Sequence, residues 1–268
     1  DSDLPINFSR STLSPPIDSP APMTATVTPI TEVPAQGEFF TESAGKRFYR
    51  TNDGIAVELI DYNKKTVIMR TITSNNSTLI GVDPNYLLPS GMINGEMFLA
   101  ALDLPYILLN YNRIGRHAAS IEVGGKVTAF SAPSGTGKST QARLWEKFRG
   151  VHQLNGDKVA VGLYNGVSHA FGFPFAGTSG ICHDYDLPLR AIVFLRQSPE
   201  NSITRLRGAS ALKEFMNNAF GHESIPSYLS QMIICASEIL ASTPVYLLSC
   251  TPDEHAVETL ENALKESK

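Results

Sequence analysis

Short apolar runs at strand spacing dominate residues 37–79, and strand and helix patterns alternate from residue 113 onward. Arg47 to Thr51, Ile55 to Ile60 and Thr66 to Ile72 are rich in Val, Ile, Thr and Tyr. Asn52-Asp53-Gly54 and Asn63-Lys64-Lys65 separate them, and residues of these types turn a chain tightly, so an antiparallel sheet is the simplest reading. Met92 to Asn110 carries apolar positions at helical spacing, with Pro105 predicting a break between two shorter helices. Two strands, His117 to Val123 and Lys126 to Ser131, then flank Gly124-Gly125, and a glycine-rich loop leads into a helix from Lys138 to Phe148. A second hairpin is predicted for Lys158 to Tyr164 and Val167 to Phe171 around Asn165-Gly166. The continuous apolar run Ala191 to Leu195 suits a strand covered on both faces. Helices at Ala209 to Phe220 and Ser227 to Leu240, a strand at Val245 to Leu248 and a helix from Pro252 to Lys265 complete the pattern.

The opening differs from the rest. Seven of the 17 prolines fall in the first 36 residues, and proline neither continues a helix nor donates in a sheet ladder. An extended segment is expected there, laid over the body through Ile6, Phe8, Leu13, Ile17 and Met23. The expected organisation is an extended segment over residues 1–36, a β-rich region with helices over 37–112, and a further domain over 113–268. The fold class is α/β with α+β character.

Composition narrows the partners. The 268 residues carry 22 Lys plus Arg against 26 Asp plus Glu, a formal charge of −4. That sign argues against a nucleic-acid partner, because phosphate contacts need clustered cations. A hydrophobic share of 42% with 18% charged residues is an ordinary globular mix, sufficient for a sizeable core. Cys182, Cys235 and Cys250 are odd in number and never spaced Cys-x-x-Cys, which points to a reducing, cytoplasmic home. The most apolar stretch, Met97 to Leu109, is interrupted by Asp103 and Pro105, short of the roughly 18 residues that cross a bilayer, so no membrane partner is expected. The sequence opens at Asp1, which leaves a removed targeting segment open.

The strongest chemical signal is Ala132-Pro133-Ser134-Gly135-Thr136-Gly137-Lys138-Ser139-Thr140, between a predicted strand and a predicted helix. Glycines at this spacing let successive backbone N–H groups converge on an anion, and the helix start adds unpaired donors and partial positive charge. Pro133, Ser134, Gly135, Thr136, Gly137, Lys138, Ser139 and Thr140 are the expected nucleotide-binding residues. Lys138 would contact the β and γ phosphates and Ser139 would ligate Mg²⁺. Ala132 stands where the strict pattern has glycine. A triphosphate-bound Mg²⁺ also needs a carboxylate at a neighbouring strand end, and Asp157, 19 residues after Lys138, is the candidate.

His117-Ala118-Ala119-Ser120, a short hairpin, the loop with its preceding Phe130-Ser131, and Asn155-Gly156-Asp157 together resemble the kinase domain of HPr kinase/phosphorylase. They resemble still more the small HPr-kinase-like proteins that accompany peptide-modifying enzymes, such as those encoded beside lasso peptides. The resemblance covers roughly Arg113 to Leu195. It implies a phosphoenolpyruvate-carboxykinase-type P-loop kinase core over 113–268, ATP with Mg²⁺, and phosphoryl transfer to a Ser or Thr hydroxyl of a ribosomally made peptide. His117 would sit beside the phosphates. The family has two adjacent aspartates where this chain has Gly156 and Asp157. Either Asp157 serves both metal and proton, or His117 takes the second role; His117 reads equally as a packing residue.

Phe173 to Gly180, with Thr178 and Ser179, is a natural platform for an acceptor, and Arg205 is the candidate among Arg190, Arg196, Arg205 and Arg207 for a charged finger. Two alternatives remain: a kinase for a small-molecule hydroxyl such as serine, and a nucleotide-dependent regulatory switch. A homo-oligomer is compatible with all three.

Overall fold

The first sheet grows from the turns between its strands. A computed structural model describes residues 24–43, 45–52, 54–61, 63, 65–74, 77–83, 103–173, 177–221 and 226–266. They fall into two compact units, 24–110 and 111–266. The first contains β1 (Thr24–Pro29), β2 (Glu38–Ser43), β3 (Lys46–Arg50), β4 (Gly54–Asp61), β5 (Thr66–Ser74) and β6 (Ser77–Val82), ordered β1-β6-β5-β4-β3-β2. Strands β2 to β6 form an antiparallel meander, and β1 joins β6 in parallel. Gly54 is where β4 meets β5 so closely that a Cβ would lie 2.0 Å from the Thr73 carbonyl oxygen. Four successive residues, Ile55 to Glu58, are buried, so both faces of β4 are covered. Glu58 tolerates this because Arg70 lies 2.7 Å away and the Tyr49 hydroxyl donates to it at 2.7 Å.

Of the opening segment, residues 24–29 form the strand β1, and a 3-10 turn at Ile30–Glu32 follows it. Ile6, Phe8, Leu13, Ile17 and Met23 lie outside the described residues. Helix α1 (Leu104–Asn110) places Pro105 in its first turn, where the missing N–H has no helical partner to lose. Pro105 therefore opens this helix; residues 92–102, where a preceding helix was expected, lie outside the described residues.

The second unit is a mixed α/β structure. Its eight strands are β7 (Arg113–Val123), β8 (Lys126–Ser131), β9 (His152–Asn155), β10 (Lys158–Tyr164), β11 (Val167–Phe171), β12 (Asp186–Gln197), β13 (Ser202–Leu206) and β14 (Val245–Cys250). They are ordered β11-β10-β7-β8-β12-β14-β13, with β9 also on β7. The long strand β12 pairs with β11 through its first residues and with β8 and β14 through its later ones, so β7, β8, β12, β11 and β10 close on one another. Strands β8, β12 and β14 are parallel, and β13 is an antiparallel edge.

Helices α2 (Lys138–Arg149), α3 (Gly208–Asn217), α4 (Pro226–Ser242) and α5 (Glu254–Glu266) accompany the sheet. Trp145 and Ala142 of α2 pack with Val257, Leu260 and Leu264 of α5 against Ala191, Val193 and Leu195 of β12. These alternate β12 positions point to one face, as strand geometry requires. Phe194, from the opposite face, lies near Arg116, and Phe215 of α3 stacks on that same guanidinium at 3.9 Å. Among the described residues no helix is long and apolar enough to cross a membrane.

Candidate functional site

Strand β8 ends at Ser131, and the chain turns through residues 132–137 into α2. Two glycines make this possible: Gly135 has φ +77° and Gly137 φ +116°, backbone that side chains with a Cβ rarely adopt. Gly137 is the N-cap of α2 and supplies no side-chain cap, so the first-turn N–H groups of α2 meet no capping side chain. Thr136 N–H donates to the Pro133 carbonyl oxygen at 3.3 Å, and Lys138 Nζ reaches back to the carbonyl oxygens of Ala132 at 2.8 Å and Pro133 at 3.2 Å. Partial burial holds the Lys138 ammonium below the ordinary lysine range, an effect that Asp157 opposes.

Asp157 lies in the turn between β9 and β10, and a buried asparagine shapes that turn. Asn155 Oδ1 accepts the N–H groups of Asp157 at 2.9 Å and Lys158 at 3.0 Å, while its Nδ2 donates to the Phe173 carbonyl oxygen at 3.0 Å. The Ser139 hydroxyl donates to the Gly156 carbonyl oxygen at 3.4 Å, which joins the first turn of α2 to the Asp157 turn. Around the Asp157 carboxylate lie Lys158 Nζ at 2.5 Å and His117 Nδ1 at 4.0 Å. Lys158 and His117 face each other across β10 and β7. Burial pushes His117 below the ordinary histidine range, opposed by Asp157 and reinforced by Lys158 and Lys138. The imidazole edge packs on Phe220 with ring centres 4.4 Å apart.

Residues 177–179 form a 3-10 turn seated on this cluster. A Cβ on Gly177 would lie 2.7 Å from Asp157 Cβ, and one on Gly156 would lie 2.0 Å from Ser179 Oγ. An aspartate therefore has no room at position 156. Ser179 Oγ also accepts the Ile181 N–H at 3.2 Å; for Thr178 only the backbone belongs to the described residues.

Lys138, Ser139, Asp157, His117 and Ser179 are thus one constellation, brought together from α2, β7 and two turns. Arg205 is not part of it. It sits on the edge strand β13, three strands from β8, and lines a separate cavity with Arg207, Leu240 and Thr243. Arg196, at the end of β12, lines instead a cavity of about 560 Å³ with Ser131 to Thr136 of the loop, Phe194, Gln197, Glu214 and Asn218. Sequence reasoning passed over Lys158 and the turn-shaping role of Asn155. The neighbouring Asn-Gly-Asp turn was the signal that could have found both.

Mg²⁺ fits what is present. Among the described residues no group of three or more His, Cys, Asp or Glu could hold a metal ion. The Ser139 hydroxyl donates to the carbonyl of Gly156, the residue before Asp157, and Mg²⁺ commonly binds through one or two hydroxyl or carboxylate groups together with phosphate oxygens and waters.

No family model matches the chain, and no curated protein does. A solved structure, the HPr(Ser) kinase/phosphatase from Coxiella burnetii, is similar over 57% of this chain and 99% of its own, at 11% identity and a TM-score of 0.34. A likeness of that size leaves the weight of any functional reading on the constellation itself.

Proposed function

We propose that the chain is an ATP-dependent phosphotransferase that moves the γ-phosphoryl group to an alcohol, a Ser or Thr hydroxyl of a peptide. One observation carries this reading. A positive-φ glycine loop opens an uncapped helix whose first residues, Lys138 and Ser139, are joined to a turn bearing a carboxylate, Asp157. Folding alone gives no reason to gather a half-buried lysine, a carboxylate and a histidine at a bare helix start.

In this reading the loop amides and the α2 N-terminus hold the α and β phosphates, and Lys138 exchanges its loop carbonyls for β and γ oxygens. Ser139 and Asp157 would hold Mg²⁺, which when bound would supply positive charge beside the phosphates. The acceptor oxygen forms a bond to the γ phosphorus as the bond to the bridging oxygen breaks, and ADP leaves with that electron pair. The hydroxyl proton passes to His117. Asp157 is paired with Lys158 and would serve the metal, whereas burial lowers His117 and favours its neutral form.

The test mixes the protein with Mg-ATP labelled at the γ phosphate and hydroxyl-bearing peptides. Lys138→Ala should lower transfer at least about a hundredfold without unfolding the chain, because a loss of preorganised charge at a transition state has that size. The wild-type rate should fall on acidification as His117 takes up a proton, below its ordinary value of 6.5, and His117→Gln should lose that acid limb. Full activity in Lys138→Ala would refute the reading, and an unchanged acid limb in His117→Gln would return the proton to Asp157.

A further inference from the structure

The cavity beside the loop lies toward the C-terminal ends of the parallel strands β8, β12 and β14, where open α/β sheets bind their ligands. Its volume of about 560 Å³ is within the range of small-ligand sites. Pro133 to Thr136, residues of the loop that would hold the phosphates, form one wall of this space.

The lining charges describe the occupant. Arg196 and Glu214 project from β12 and α3, and neither makes an ion pair among the described residues. Behind the wall Arg116 is fully buried, donates to Ser131 Oγ at 3.4 Å and to the Phe215 carbonyl oxygen at 2.8 Å, and leaves its Nε without a partner. Burial with no facing carboxylate pushes that guanidinium down to about 9, so at neutral pH an unbalanced positive charge lies under the cavity. One side of the space thus favours an anion and the other, at Glu214, a cation.

We infer that this cavity is the acceptor subsite, and that it selects an alcohol carrying a carboxylate for Arg196 and a cationic group for Glu214. A free hydroxy amino acid presents that chemistry, as does a serine flanked by one acidic and one basic residue in a peptide. The inference rests on the phosphotransferase reading and adds the acceptor's class.

The experiment compares γ-phosphoryl transfer to L-serine, to end-blocked Lys-Ser-Glu, and to the neutral controls N-acetylserinamide and end-blocked Ala-Ser-Ala, with Mg-ATP affinity measured separately by calorimetry. A charged acceptor should be used with a KM at least about tenfold below its neutral control, the size of one charge-assisted hydrogen bond. Arg196→Ala and Glu214→Ala should each raise that KM by a similar factor while leaving Mg-ATP affinity unchanged, and the exchange Arg196→Glu with Glu214→Arg should recover part of the loss. Whether L-serine or Lys-Ser-Glu is used identifies the source. Equal use of charged and neutral acceptors, or variants with unaltered KM, overturns the subsite while nucleotide binding still stands. Should the wild type bind no nucleotide, direct titration with both charged acceptors decides. Binding weakened by Arg196→Ala keeps the subsite without the kinase, and silence in both removes the two together.

Discussion

A guanidinium deprived of water and of any carboxylate is an unfavourable thing to keep in a folded chain, and Arg116 is in that position. Its contacts are two hydrogen bonds and the faces of Phe215 and Phe194, and these do not replace the lost hydration. The sign of the consequence follows from the direction of the shift. The guanidinium is about 9 in the folded chain, well below its free value, so its penalty is fully present below about 9 and fades as pH rises toward the free value. Arg116→Met should therefore raise unfolding stability by about 2 kcal/mol at pH 7, in the range seen when buried charges give way to packed apolar side chains. Its advantage should narrow above pH 9, as read by denaturant unfolding at several pH values. An unchanged or lowered stability would mean that the hydrogen bonds to Phe215 and Ser131 outweigh desolvation. A side chain retained at such a cost, next to the lining of the cavity, is what a functional positive potential would look like.

Among the elements, the turn Asn155 to Lys158 and the 3-10 turn Gly177–Ser179 fix each other through two glycines without side chains between them. Gly156→Ala should lower the melting temperature and the transfer rate together, because its Cβ must push Ser179 Oγ from 2.0 Å and drag Asp157 with it. Adding Ser179→Gly should restore much of both; if it restores neither, the two turns are not the coupled pair described. Local signals of this kind were legible in the sequence where they depend on neighbours along the chain. The glycine loop, the hairpins at Gly124-Gly125 and Asn165-Gly166, and the placement of Lys138 and Asp157 on adjoining turns were all readable for that reason. Elements made by distant pairing were not. Strand β13 is mostly exposed and has no apolar alternation, so only its hydrogen bonds to β14 define it. The apolar run Ala191 to Leu195 marks just the buried middle of β12, whose pairing with β14 continues through Arg196 and Gln197. That extension is why Arg196 reaches the loop cavity while Arg205, the arginine favoured from sequence, lies three strands from β8.

At the scale of the molecule, every residue of the candidate site belongs to the unit spanning 111–266, and that unit has its own core of Trp145, Phe130, Val193 and Leu260. Its strands also close through β11 and β12, which pairs an edge that would otherwise template aggregation. The 24–110 unit has a separate sheet and a separate buried set, including Phe48, Met69 and Ile80. Two cores of this kind need not melt together. Residues 111–268 expressed alone should fold, and should bind Mg-ATP as tightly as the full chain, since the loop, Lys138, Ser139 and Asp157 are all retained. Calorimetry of the full chain should then resolve two unfolding transitions, with Mg-ATP raising only the one that the fragment shows. A fragment that folds but has lost nucleotide affinity would assign the first unit a direct part in the site. A single transition raised as a whole by the nucleotide would mean that the two cores unfold as one, and that binding at the loop stabilises the sheet of β1 to β6 as well.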